Sequence, residues 1–315
     1  MKHIDDADPA ARTERPPDLP ELEGVRHHFL DLSGLRMHVA EAGAGEPVLL
    51  LHGSLQNWWA WRKVLPGLAR TYRVLAPDLR GAGWTDAPAT GYTRAQTVAD
   101  LLAALDALGV GPVRLVSTDM SVIAGYALCY EHPGRVLAHA SIGVPPMAMK
   151  LGLRHVRAFL PLWHQEVGAI PGLAPVLLGR GRQRLARHML LDFSPEGRPP
   201  DPEEIELYLA RLRLPDRARV TSVMFRSLVF PELARSMRGY YRRVRLTVPT
   251  LVVASSEDRS FPPAVTEDLV RTAAPYVDHV EIGVVDRAAH YVAQENPEAL
   301  VEHLERFFAD FPAPR

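Results

Sequence analysis

The sequence has little of several features that mark particular classes of protein. Its 315 residues include one cysteine, Cys129, so no internal disulfide can form, and we expect a reduced setting with Cys129 as a small core residue. No apolar run approaches the roughly 20 residues that a membrane-spanning helix needs, which excludes a membrane protein of that kind. The first residues also lack the apolar stretch of a secretory signal. We therefore expect a cytoplasmic protein.

An excess of charge of one sign is missing as well. The chain has 36 basic and 37 acidic residues, mixed along its length, for a net charge of −1. Such a balance gives no reason to expect nucleic acid or an anionic membrane as a partner. The hydrophobic share of 47% is enough for a real core and excludes a disordered chain.

Strands and helices alternate over most of the chain. A hairpin signal at Ser33-Gly34 is followed by the buried runs "EPVLLLHG" and "YRVLAP", and Thr93 is a plausible N-cap for the helix after them. Such alternation predicts an α/β fold with a doubly wound, mostly parallel sheet. From about 147 to 245 the strand signals disappear and helical patterns follow one another, so we expect a helical lid inserted after the sixth strand. The expected domains are a flexible tail at 1–22, a core formed by 23–146 and 246–315, and a helical cap at 147–245.

One turn in the sequence carries an acid where glycine would be more usual. The run "VRLVSTDMSVIAGYAL" predicts a buried strand leading directly into a helix, with Asp119 at the bend. A side chain at the apex of such a nucleophile elbow needs small residues two positions before and after it, and here these are Ser117 and Ser121. Centring the elbow on either serine would place Leu115 or Ile123 at a small position. Asp119 alone fits the apex, although an isolated acid there would also suit a helix N-cap.

These motifs together resemble the α/β-hydrolase superfamily, in the branch that uses an aspartate nucleophile: epoxide hydrolases and dehalogenases. The resemblance covers 25–311 and rests on "VLLLHGS", "APDLRGAGWTD", "LVSTDMS", "VPTLVVASSED", "AAH" and "NPEAL" in that order. It implies that Asp119 is the nucleophile, His290 the base and Asp258 the triad acid, with Glu257 as a close rival. The order nucleophile, acid, histidine is the order that this superfamily follows. The resemblance implies no metal and no cofactor, and it fits a monomer or a homodimer.

An aspartate nucleophile suits a particular reaction. A carboxylate can displace at an sp3 carbon that carries an epoxide oxygen or a halide, forming an alkyl ester on Asp119. Water activated by His290 then attacks the carbonyl carbon of that ester. By the resemblance, the backbone N–H groups of Ser54 and Met120 form the oxyanion hole. Leu55 departs from the common His-Gly-x-Pro motif, and Met120 replaces a tryptophan that often donates to a leaving halide.

The proton donor for the opening oxygen is less evident from the sequence. Epoxide hydrolases usually carry two lid tyrosines, but Phe225 stands in one of those positions. Trp163 falls near the second tyrosine position, where it either packs in the core or donates to the substrate. We take Phe225 and Trp163 as candidate substrate-binding residues. The other lid phenols are Tyr208, Tyr240 and Tyr241.

Three functions are consistent with these residues. The first is an epoxide hydrolase acting on a small-molecule substrate that is apolar and bulky, as the apolar lid suggests. The second is a dehalogenase with an altered halide site, which Met120 counts against. The third is a non-hydrolytic catalyst or binding protein of the same fold, which an intact triad counts against.

Overall fold

The core of the structure is one eight-stranded sheet. The structure, a computed structural model, describes residues 16–312, apart from the side chain of Val156. The strands β1 to β8 are Val25–Leu32, Leu35–Ala42, Glu46–Leu51, Tyr72–Pro77, Val113–Thr118, Val136–Ile142, Thr250–Ser255 and Val280–Val285. They lie in the order β1-β2-β4-β3-β5-β6-β7-β8. The pairs β1/β2 and β2/β4 are antiparallel and all the others are parallel, which confirms the predicted doubly wound, mostly parallel sheet.

Helices cover both faces of the sheet and form a separate insertion. The helices α1 to α13 are Leu65–Leu68, Arg94–Ala107, Ser121–Glu131, Val156–Phe159, His164–Ala169, Leu173–Gly179, Arg184–Leu191, Pro202–Leu212, Arg217–Met224, Phe230–Met237, Pro263–Ala273, Val292–Glu295 and Pro297–Asp310. A π-helical turn, Phe225–Val229, joins α9 to α10. Short 3-10 helices lie at Trp58–Trp61, Pro133–Arg135, Leu153–His155, Leu160–Trp163, Tyr240–Arg242 and Ala274–Tyr276. We call α4 to α10, which lie between β6 and β7, the helical insertion.

The strand order creates a switch point at the middle of the sheet. From β3 the chain turns to β4 on one side, and it later enters β5 on the other side of β3. In open α/β sheets, ligands bind at the carboxyl ends of strands where the order reverses in this way. Leu51 of β3 pairs with Ser117 of β5, so the loops that follow these two strands begin side by side. Ser54 and Asp119 lie in these two loops.

Alternate residues of the strands fill two hydrophobic cores. Leu49 and Leu51 of β3 pack with α2, α3 and α11 on one face, whereas Val48 and Leu50 pack with α1 and α13 on the other. This is the period of two that a strand buried on both faces must show. The helical insertion has a third core of its own, and Leu55 and Met120 of the sheet loops pack against it.

Several local predictions are confirmed, and one is wrong in part. The hairpin turns at Ser33-Gly34, where Gly34 has a φ of +75°, and the Thr93 side chain caps α2 by accepting from Gln96 N. The predicted flexible tail at 1–22 is wrong for its last residues. Leu19 is buried, and the Asp18 carboxylate accepts from Trp84 Nε1 at 3.1 Å. Residues 1–15 lie outside the described part of the chain.

Residues 16–312 lack two features that would mark other types of protein. None of the helices in this range combines the length and the apolar character that crossing a bilayer requires. Within the same range, no group of three or more His, Cys, Asp or Glu side chains is arranged to hold a metal ion.

Candidate functional site

The turn between β5 and α3 holds Asp119 in a left-handed conformation. Its φ is +54°, a backbone conformation that residues other than glycine rarely adopt and that costs about 1–2 kcal/mol. Close neighbours leave this turn little freedom. A Cβ atom placed on Gly53 would lie 2.9 Å from Asp119 Cβ, so the loop after β3 can approach the apex only because residue 53 is glycine.

The two serines that flank the apex are satisfied by local hydrogen bonds. Ser121 Oγ donates to Leu51 O at 2.9 Å, and Ser117 Oγ lies 2.7 Å from His139 Nε2. Both serines are buried, and burial lowers the pKa of His139 to about 3, so this histidine is neutral. The hydroxyl groups therefore fit where the elbow motif usually has glycine, because each finds a partner beneath the turn.

The Asp119 carboxylate is held at both oxygens. Oδ1 accepts from the backbone N–H of Ser54 at 3.0 Å and from the adjacent N–H of Met120. Oδ2 lies 3.0 Å from His290 Nε2, and His290 Nδ1 lies 3.3 Å from Asp258 Oδ2. The structure thus brings together all five residues predicted for the triad and the oxyanion hole. Their catalytic roles remain predictions.

Asp258 and its rival Glu257 point in different directions. Asp258 is buried, and its Oδ1 accepts from the backbone N–H groups of Ser260 at 2.7 Å and Phe261 at 3.0 Å. Glu257 instead pairs with Arg198 at 2.5 Å, with 39% of its side chain exposed. Only Asp258 contacts the histidine, so the geometry favours it over Glu257.

The electrostatics of this group favour an ion pair. Burial disfavours the charged form of His290, but hydrogen bonds and charge interactions with Asp119 and Asp258 outweigh it and raise the His290 pKa to about 10. Burial likewise acts to raise the pKa of both carboxyl groups, and their hydrogen bonds to His290 and to backbone N–H groups hold them below the usual value. At neutral pH the free enzyme therefore holds an imidazolium between two carboxylates.

The loop that carries Ser54 differs in shape from the usual motif. Leu55 has a φ of +63°, a value that the ring of proline forbids, since proline is fixed near −65°. Its side chain packs against the core of the helical insertion. The backbone at Leu55 therefore follows a different path from a loop with proline at this position, while the Ser54 N–H still donates to Asp119.

A small cavity of about 50 Å³ adjoins the oxyanion hole. It lies between the loops after β3 and β4 and the helices α8 and α9. Ser54 and Met120 line it, together with Leu212 and Val220 from the insertion. The two residues predicted for the oxyanion hole thus form one wall of a cavity whose opposite wall belongs to the helical insertion.

The two residues predicted to bind substrate do not line this cavity. Trp163 is 49% exposed, and its ring lies against His188 with centroids 4.8 Å apart, so the expectation of core packing is wrong. Phe225 is buried inside the insertion against Gly168 and Phe230. Neither residue therefore belongs to the wall of this cavity, and their substrate-binding roles remain predictions.

The hydroxyl groups of two lid tyrosines have hydrogen-bond partners, and the third tyrosine is exposed. Tyr208 is buried, and its hydroxyl accepts from Gln294 Nε2 at 2.8 Å. The Tyr241 hydroxyl donates to Glu232, and Tyr240 lies partly exposed at the surface. None of these three reaches the triad through a hydrogen bond in the described part of the chain.

Sequence reasoning missed several neighbours of His290. Phe193 of the insertion accepts from the His290 backbone N–H through its carbonyl at 3.2 Å, and its ring lies 5.8 Å from the imidazole. Glu295 Oε2 accepts from Ala289 N at 2.6 Å and fixes the loop before the histidine. Burial raises the Glu295 pKa to about 7. Only the proximity of "QE" to "AAH" in the sequence could have pointed to Glu295.

His164 is a further buried group on the insertion side of the site. Burial lowers its pKa to about 4, although the Asp119 charge opposes that shift. Its Nδ1 lies 3.2 Å from the carbonyl of Pro161, so the neutral ring carries its proton there and presents Nε2 as an acceptor. This histidine is therefore not a ready proton donor at neutral pH.

Comparison with known proteins identifies the family. The family model described as the alpha/beta hydrolase fold matches residues 46–297. The chain belongs to the alpha/beta hydrolase family. This hydrolase is 26% identical to a soluble epoxide hydrolase of Corynebacterium sp. (strain C12) over 300 residues, which cover 90% of this chain and 98% of that protein. It is 41% identical to epoxide hydrolase 3 of Siraitia grosvenorii over 126 residues, 39% of this chain and 40% of that protein.

A solved structure agrees with this assignment. An epoxide hydrolase mutant of Vigna radiata superposes on this hydrolase with a TM-score of 0.78 at 25% identity, covering 92% of this chain and all of that one (100%). The resemblance stated from the sequence motifs is thereby confirmed at the level of family and fold.

Proposed function

We propose that this hydrolase opens epoxides through a covalent alkyl ester on Asp119. The observation that carries the proposal is the divided carboxylate: Oδ1 lies in a pair of backbone N–H donors while Oδ2 faces His290. Similarity to a soluble epoxide hydrolase over 98% of that protein's length supports the same reaction class. The helical insertion would act as the cap that encloses the substrate.

In the first step Asp119 Oδ2 attacks one epoxide carbon. The carbon–oxygen bond of the ring breaks, an ester forms on Oδ2, and the opened oxygen takes up a proton to become a hydroxyl. Oδ1 becomes the carbonyl oxygen of the ester and stays within reach of the Ser54 and Met120 N–H groups. The donors are thus in place before the next step begins.

In the second step water hydrolyses the ester. Esterification removes the negative charge of Asp119, so one of the two carboxylates that raise the His290 pKa is lost. His290 then releases its extra proton to solvent, which balances the proton taken up by the opened oxygen, and becomes a base near neutral pH. It takes a proton from the attacking water, while Asp258 stabilises the imidazolium that forms again. Water attacks Cγ, and the charge that develops on Oδ1 meets two N–H donors, each typically worth about 3 kcal/mol. The bond between Cγ and the alkoxy oxygen then breaks, and His290 returns its proton to that oxygen, so the diol leaves. The carboxylic acid formed on Asp119 gives its proton to His290, which restores the starting ion pair.

A place for that water exists beside the histidine. A cavity of about 10 Å³ is lined by His290, Thr118 and Gln56, among others. This is close to the smallest space that holds one water molecule. The Gln56 side chain accepts from Gly53 N through Oε1, which leaves its Nε2 group able to bind the water.

Met120 favours epoxides over haloalkanes as substrates. A leaving halide needs a hydrogen-bond donor near the nucleophile, and methionine supplies none from its side chain. The opened epoxide oxygen instead needs a proton, which water or a side chain made accessible by movement of the insertion would deliver. A dehalogenase is therefore the weaker alternative. A non-hydrolytic role does not explain why Asp119 and His290 are placed in contact.

The test is to trap the ester. In a His290→Gln variant offered styrene oxide, intact mass should rise by the mass of one epoxide, because alkylation proceeds and hydrolysis does not. An Asp119→Asn variant is the matched control and should show no adduct. In wild-type enzyme, a single turnover in heavy-oxygen water should place the label in the peptide containing Asp119. Label that enters the diol directly would mean that water attacks the epoxide, and the proposal would be wrong.

A further inference from the structure

One face of helix α9 lines the cavity beside the oxyanion hole. The residues that it contributes are Arg217, Val220, Thr221 and Met224. Their spacing is i, i+3, i+4 and i+7, which places them on a single side of a helix. This face therefore brings two apolar residues, one threonine and one arginine to the wall of the space next to Ser54 and Met120.

Arg217 differs from the other two arginines of the cavity wall in having no carboxylate partner. Arg80 forms two hydrogen bonds of 2.7 Å with Asp100, and Arg211 pairs with Asp18. Within residues 16–312, Arg217 forms no ion pair, and its Nη1 donates to the carbonyls of Thr85 and Ala82. Burial and the nearby Arg211 charge lower its pKa, although the charges of Asp78, Asp216 and Asp86 oppose that shift from a distance without forming an ion pair.

The remaining polar groups of the cavity can donate hydrogen bonds. Ser54 Oγ is buried without a partner, and the Thr221 hydroxyl makes no hydrogen bond in the described range. Asn57 uses its oxygen to accept from Trp59 N, so its NH2 group is left over. No Asp or Glu belongs to the described cavity lining. Such a wall matches a ligand that supplies acceptors and negative charge.

We infer that this cavity is a subsite for a carboxylate carried by the substrate, bound by Arg217 with Thr221 and Ser54. The inference rests on the proposed function and adds the substrate class: epoxides with an apolar body and an anionic end. The planar guanidinium offers paired N–H groups that match the two oxygens of a carboxylate. A volume of about 50 Å³ is enough space for a group of that size.

Anchoring of the insertion does not by itself account for Arg217. Arg219 anchors the same helix by donating to the carbonyls of Ala87, Pro88 and Ala89. Arg219 lies off the face that lines the cavity, because it is two residues from Arg217. It is therefore a matched control: an arginine with the same anchoring role and no access to the subsite.

The first experiment measures binding without turnover. Calorimetric titrations at constant ionic strength compare butyrate with its neutral analogue butyramide, and with chloride. We expect butyrate to bind wild-type enzyme about tenfold or more tightly than butyramide, in keeping with hydrogen bonds to a charged group. Arg217→Leu should abolish that preference, Arg217→Lys should retain part of it, and Arg219→Leu should leave it unchanged. Equal Kd values for butyrate and butyramide in wild type would overturn the subsite, as would chloride binding as tightly as butyrate.

The second experiment measures specificity in turnover. The ratio of kcat/KM for 4,5-epoxypentanoate to that for its amide should exceed about ten in wild type and Arg219→Leu, and approach one in Arg217→Leu. A ratio near one in wild type would refute the subsite while leaving epoxide hydrolysis intact. If butyrate binds through Arg217 but neither epoxide reacts, the subsite stands and the proposed function fails. Thermal unfolding of each variant confirms that the comparison is between folded proteins.

Discussion

Replacing Asp119 by Asn should strongly lower the pKa of His290. The substitution removes one negative charge 3.0 Å from Nε2 while keeping the size of the side chain. It thereby imitates the neutral ester that we propose as the intermediate. The same variant thus reports the electrostatic state in which His290 must act as a base.

The structure bounds the size of this change. At an effective dielectric constant of about 20, unit charges separated by 3.0 Å interact by about 5.5 kcal/mol, which corresponds to a pKa change of about 4. Both carboxylates together raise the pKa from 6.5 to about 10 against the effect of burial. If Asp119 supplies only half of that net rise, its loss lowers the pKa by about 2. We therefore expect His290 to titrate between about pH 6 and 8 in Asp119→Asn.

Long-range nitrogen–proton NMR of histidine rings measures this pKa directly. The signal is assigned by its loss in the double variant Asp119→Asn, His290→Gln, which separates it from the other twelve of the 13 histidines. His139 serves as an internal control, because burial lowers its pKa to about 3 and its ring should stay neutral over this range in both proteins. A His290 pKa that stays above about 9 in Asp119→Asn would show that Asp119 does not control the base, and the reasoning would fail.

Three other predictions follow from single features. Trp163→Phe should change kcat less than twofold in epoxide hydrolysis assays, since the indole is 49% exposed and lies away from the cavity; a tenfold loss would contradict this placement. Leu55→Pro should lower kcat about 100-fold or more, because proline cannot adopt a φ of +63° and the Ser54 N–H donor would be displaced; Leu55→Gly, which can, is the control. The raised His290 pKa predicts that stabilisation by the ion pair is complete below pH 6.5 and is lost as pH rises through about 10. The free energy of unfolding measured with urea should therefore fall more over that range in wild type than in His290→Gln.

The sheet and the elbow could be predicted because their determinants are local in sequence. Strands buried on both faces need continuous apolar runs, and those runs alternate with helices that have visible caps such as Thr93. The apex position of Asp119 followed from the size of its neighbours at two fixed spacings. Asp258 could be chosen over Glu257 only by register, and their opposite directions became evident from the loop after β7.

The insertion could be recognised as helical but not assembled from its sequence. Its helices are short, and which face of each is buried depends on the other helices and on the sheet loops that they cover. Phe225 was therefore placed beside the substrate because of a motif, whereas it packs against Phe230 in the core of the insertion. The cavity face of α9 was missed for the same reason, since Arg217 and Arg219 look alike in sequence and only packing separates them.

The charge on Asp119 couples the two proposed steps, because its loss in the first step makes His290 a base for the second. In the free enzyme His290 is held as an imidazolium and cannot take a proton from water, so hydrolytic activation is absent while the nucleophile is ionised. Alkylation neutralises the nucleophile and lowers the pKa of the base in the same event. A serine at the apex would lack this coupling, because its hydroxyl is neutral before the reaction. In the mechanism that we propose, the aspartate at the bend between β5 and α3 therefore serves both as nucleophile and as the switch that makes His290 a base only when an ester is present.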